Sequence, residues 1–82
     1  MGTIVINLNE VMKKLYVTKN AVSRESKVRY ATVYTLANNE AKAINLDTMA
    51  MLLDGLNDIA KKQKLPPITI ADVLEYHSDA QD

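Results

Sequence analysis

The chain has 82 residues, 48% hydrophobic and 24% charged, and its ten basic and ten acidic side chains cancel. This is the composition of one globular domain, and it excludes both a multidomain enzyme and a disordered segment. Cysteine is absent, which excludes disulfides, thiolate catalysis and zinc ribbons, and no apolar run approaches the about 20 residues of a membrane span.

The charge is balanced but unevenly spread. Residues 1–42 hold seven Lys/Arg and three acids, a net +4, and residues 43–82 reverse the count to a net −4. Such an asymmetry points to one half that faces a polyanion.

In chain order, Thr3 to Asn7 is β-branched and suits a short strand. A lone strand needs a partner, from this chain or another. Asn7 is placed to cap a first helix, with Glu10 at the position that closes a capping box. Leu8, Val11, Met12 and Leu15 fall at i, i+3, i+4 and i+7, one apolar face. Thr18 is the next cap, and Lys19 to Ser26 reads as a short second helix with Ala21 and Val22 inward. A break follows at Lys27-Val28-Arg29. The third helix runs from Tyr30 to Ala37 and buries Val33, Leu36 and Ala37. Asn38-Asn39 ends it, since Asn tolerates a left-handed exit.

Ile44-Asn45-Leu46-Asp47 leads into a fourth helix carrying Met49, Leu52, Leu53, Leu56, Ile59 and Ala60 at helical spacing. Gly55 is a weak point there, worth about 1 kcal/mol against Ala. Pro66-Pro67 closes the region. Thr69 with Asp72 forms a capping box for a fifth helix, and Ile68 with Val73 is spaced as a hydrophobic staple. That helix is expected to extend through Leu74 and Tyr76, leaving Ser78 to Asp82 as a frayed tail. The expected core is Leu8, Val11, Met12, Leu15, Val22, Val28, Val33, Leu36, Leu46, Met49, Leu52, Leu56, Val73 and Leu74. The reading is one all-α domain over residues 1–82, its core at 7–76, with the short N-terminal strand in addition.

The order and length of these helices, with the segment from Val17 to Asn39 at their centre, resemble the phage-repressor-like helix-turn-helix family, its Cro-like or xenobiotic-response-element group. Thr18 matches the family's cap of the second helix. Val22 and Val28 match its buried aliphatics, and Val33 and Leu36 match the pair that seats the reading helix. Leu46-Asp47-Thr48-Met49 with Leu52 and Leu56 is similar to its fourth helix, and Ile70 to Tyr76 to a closing helix of one small-repressor branch. Three positions depart: Lys19 stands for the usual Gln, Ser23 for Ala, and Lys27 for the Gly of the turn.

The resemblance implies a compact five-helix lambda-repressor-like domain that binds double-stranded DNA. Its third helix would lie in the major groove and its second would cross the phosphate backbone. Arg29, Tyr30, Ala31, Thr32, Tyr34 and Thr35 would then meet base edges. Thr18, Lys19, Lys27, Asn38, Asn39 and Lys42 would meet phosphates. Arg29 suits guanine, and Ala31 and Thr35 suit a thymine methyl. No catalytic constellation, cofactor motif or metal-ligand spacing is present. The lone His77 reads as a surface residue.

The expected function is a sequence-specific transcriptional regulator, a cytoplasmic and nucleoid-associated repressor acting by operator occupancy. Two alternatives stay open: the antitoxin of a toxin–antitoxin pair, with a toxin as protein partner, and an interaction module that has lost DNA binding. One such unit touches few base pairs, so a homodimer on a palindrome is expected, with half-sites roughly 34 Å apart.

Overall fold

A computed structural model describes residues 2–78. Its elements are β1 (Thr3–Ile6), α1 (Leu8–Leu15), α2 (Lys19–Ser26), α3 (Tyr30–Ala37), α4 (Leu46–Lys62), α5 (Ile70–Val73) and β2 (Leu74–His77). Five helices thus stand in the expected order, joined by a small sheet. Residues 79–82 of the expected tail lie outside the described residues.

The strand at the N-terminus finds its partner within the chain. β1 and β2 pair antiparallel, with Thr3 opposite His77 and Ile6 opposite Leu74. This corrects the expected fifth helix, which stops at Val73. Its capping box does form: the Asp72 carboxylate accepts from the Thr69 N–H at 2.8 Å. Beyond Val73, however, the chain is extended, and the Asn7 N–H donates to the Val73 carbonyl at 2.6 Å. The β-branched segment at the start supplies bonds along a whole strand, which outweighs the weak helical pattern of Leu74 to Tyr76.

The same pairing redirects Asn7. Its side chain makes no cap on α1; its amide donates instead to the Glu75 carboxylate at 2.8 Å. Glu10 approaches Lys13 at 3.7 Å rather than closing a box.

Leu8, Val11, Met12 and Leu15 of α1, Val22 and Val28 around α2, Val33, Leu36 and Ala37 of α3, and Met49, Leu52, Leu56, Ile59 and Ala60 of α4 form one core with Ile68 and Val73. Leu46 is a correction: it is 82% exposed, because the apolar stripe of α4 runs past the body that the helix packs against. Leu74 is only half-buried.

Gly55 is also revised. A Cβ there would lie 2.5 Å from both Cα and Cβ of Ser26. α2 and α4 cross at this point, and the missing side chain is what lets them approach. Asn57 fixes the next connection. Its amide oxygen accepts from the Ile68 N–H at 2.7 Å and its nitrogen donates to the Ile68 carbonyl at 2.9 Å, docking the Pro-Pro segment on α4.

Candidate nucleic-acid interface

α2 begins where the sequence places it. Thr18 is extended at the cap and its hydroxyl accepts from the Ala21 N–H at 3.1 Å. The first N–H groups of a helix point outward and carry the positive end of its dipole, so this terminus presents donors to an anion. α2 ends at Lys27, which sits in the left-handed region at φ 63° where the family pattern has Gly.

Two serines brace the turn that follows. Ser23 donates its hydroxyl to the Val28 carbonyl at 2.6 Å. The buried Ser26 donates to the Val22 carbonyl at 2.6 Å and accepts from the Val28 N–H at 3.2 Å. Both polar groups of Val28 are therefore held from α2, one residue before Arg29 caps α3.

α3 buries Val33, Leu36 and Ala37 on one side. At about 100° per residue, Ala31 falls at the centre of the opposite side, with Tyr30 and Tyr34 on one flank and Thr32 and Thr35 on the other. Arg29, Tyr30, Ala31 and Tyr34 are exposed, and Thr32 and Thr35 are half-buried. Five of the six residues expected to face bases thus lie on α3 outside its buried stripe, and the sixth, Arg29, is the exposed N-cap residue before it. The Thr35 hydroxyl donates to the Ala31 carbonyl at 3.0 Å, which leaves its methyl group and oxygen lone pairs for contact.

The tyrosine flank leans toward α2. The Tyr30 and Tyr34 ring centroids are 6.4 Å apart, tilted at 43°. The Lys19 ammonium stands 5.7 Å from the Tyr34 ring centroid, a cation–π contact between the two helices. The threonine flank leans toward residues 40–45, where Ala31, Thr32, Thr35 and Lys42 line one groove of about 520 Å³.

The expected phosphate contacts separate into two groups. Thr18, Lys19 and Lys27 lie at the two ends of α2. Asn38, Asn39 and Lys42 follow the far end of α3, which is about 12 Å long. Asn39, left-handed at φ 59°, accepts from the Ile6 N–H at 2.9 Å through its side-chain oxygen. Its amide is thus tied to β1, with only its N–H groups left for a ligand.

The sequence reading missed Tyr16 and Asn9, which line a groove beside the start of α2. It also missed the bracing role of Ser23 and Ser26. Ser23 stands where the family has Ala, and nothing in the pattern says where its hydroxyl points.

A family model for the Cro/C1-type helix-turn-helix DNA-binding domain matches residues 7–58, more than half of the chain. The chain belongs to this family. The match takes in α1 to α3 and most of α4, including every residue placed on the two helix faces above. Comparison with curated proteins and with solved structures gives no match. Among the described residues, no helix is long and apolar enough to cross a membrane.

Proposed function

We propose that this Cro/C1-type domain is a sequence-specific transcriptional regulator that reads DNA with α3 in the major groove and represses by occupying its operator. The observation that carries this reading is the outward side of α3. Ala31 at its centre leaves room for close approach, and tyrosine and threonine flank it with donors, acceptors and methyl groups. An α-helix fits the major groove in width, and side chains of these types discriminate base pairs there.

In this reading Arg29 pairs with guanine, Ala31 and Thr35 meet thymine methyls, and Tyr30, Thr32 and Tyr34 complete the base contacts. Thr18, Lys19 and Lys27 hold phosphates along one strand, and Asn38, Asn39 and Lys42 hold them beyond the other end of α3. The protein works as a homodimer on DNA, because one unit reads too few base pairs for useful specificity. The exposed Ile4 and Tyr76, paired across the two-stranded sheet, offer apolar surface for it. A cytoplasmic, nucleoid-associated repressor follows from that activity.

Selection of bound sites from a random DNA library tests the proposal. It predicts enrichment of an inverted repeat with half-sites one helical turn apart, roughly 34 Å. Recovery of unenriched DNA would contradict sequence-specific reading.

A further inference from the structure

Asn39 stands where α3 ends, and the backbone closes the helix around it. Its N–H donates to the Leu36 carbonyl at 3.1 Å, and the next N–H, of Glu40, reaches back to the Thr35 carbonyl at 3.0 Å. This is a Schellman closure, with Asn39 as its left-handed residue at φ 59°. Gly takes that conformation freely, whereas Asn takes it against a small penalty. The side chain of Asn39 has a use that Gly lacks.

Its amide oxygen accepts from the Ile6 N–H at 2.9 Å, from a residue 33 positions earlier. The neighbouring Asn7 N–H points toward β2, where it meets the Val73 carbonyl. Alternation along the strand therefore turns the Ile6 N–H to the outer edge of β1. Asn39 takes up a donor that the sheet itself leaves open.

α3 is thus fastened at both ends. Ser23 and Ser26 of α2 hold Val28, two residues before its start, and β1 holds its far end through Asn39. A helix held at one end can pivot, and one held at both has its tilt fixed. Base-edge readout needs side chains placed to within about 0.5 Å.

We propose that Asn39 is a positioning residue for sequence reading: through Ile6 it locks the far end of α3 to the β1–β2 sheet, so that the sheet sets the tilt at which α3 meets the bases. This rests on the proposed function. It goes beyond the phosphate contact assigned to Asn39 there, which uses the amide N–H groups and not the oxygen. Phosphate contacts carry no base information, so loss of the tie falls on the selected site and spares random DNA.

The test compares the full chain with two variants on a duplex carrying a library-selected site and on a mixed-sequence duplex, titrated by fluorescence anisotropy. Amide exchange of Ile6, followed by NMR, reports the bond itself. Asn39→Gly keeps the left-handed closure and removes the tie. It should lower the ratio of selected to random affinity about three- to tenfold and speed exchange at Ile6. Asn39→Asp keeps the accepting oxygen, loses the N–H groups and adds a negative charge. It should weaken both complexes alike, with the ratio and the Ile6 protection of the parent. A residue that only contacts phosphate would leave the ratio unchanged in both variants. If Asn39→Gly keeps the parent's ratio, or Asn39→Asp loses it as Asn39→Gly does, the tie does not position α3 and only this inference falls. If the parent binds both duplexes equally, the proposed function and the inference fall together.

Discussion

The Ser23 hydroxyl donates to the Val28 carbonyl at 2.6 Å, so α2 holds the chain one residue before Arg29, the cap of α3. The family pattern has Ala at this position and Gly at position 27, whereas this chain has Ser23 and Lys27. Ser23→Ala leaves the Val28 carbonyl without that partner and should cost about 1–2 kcal/mol in chemical denaturation. An unchanged midpoint would mean that the hydroxyl is only tolerated at the crossing.

Lys27 tests the other half of the same turn. It is left-handed at φ 63°, and a non-Gly residue there carries a cost of about 1 kcal/mol. Lys27→Gly should therefore stabilise the fold by up to about 1 kcal/mol. The same change removes an assigned phosphate contact, so it should also lower the salt slope of DNA binding by about one. Stability and affinity moving in the same direction would count against the assignment.

Gly55 gives a sign test. Helix propensity alone favours Gly55→Ala by about 1 kcal/mol. The added methyl would meet the backbone of Ser26 at 2.5 Å, and overpacking of this kind typically costs about 1–3 kcal/mol. Because the obstacle is backbone, the substitution should lower the melting temperature. A rise would mean that α2 and α4 separate freely.

Acid should act on the closing segment. The Thr69 backbone N–H holds the Asp72 carboxyl below its usual range. Glu75 is held low by the Asn7 amide and then by His77. Both pKa values are depressed in the fold, so their contribution is complete above the ordinary carboxylate range. It is lost as pH falls from about 4 through the lowered values. Asp72→Asn with Glu75→Gln should flatten thermal stability against pH in that window; an unchanged slope would contradict these assignments.

Much of the fold was legible because it rests on period and caps. Val33, Leu36 and Ala37 face the core as their spacing requires, and Thr18 caps α2. The Ile68–Val73 staple is buried as its spacing implies. What was not legible depends on partners distant in sequence. The conversion of Leu74 to His77 into a strand is decided by Thr3 to Ile6, and Asn7 leaves its cap for Glu75. Gly55 reads as a defect until Ser26 is seen opposite it. At the interface, spacing separates the outward side of α3 from its buried side. The lean of Tyr34 toward Lys19 and the exposure of Tyr16 depend on how α1 and α2 pack beside it.

The proposed function has α3 reading bases while α2 rides the backbone. Titration of the parent, Lys19→Ala, Tyr34→Ala and Thr35→Ala on a selected site and on random DNA, at several salt concentrations, tests it most directly. Lys19→Ala should weaken both complexes alike and lower the salt slope by about one. Tyr34→Ala and Thr35→Ala should each cost roughly 1–3 kcal/mol on the selected site and little on random DNA. If the two α3 variants stay folded and bind the selected site as the parent does, α3 is not the reader.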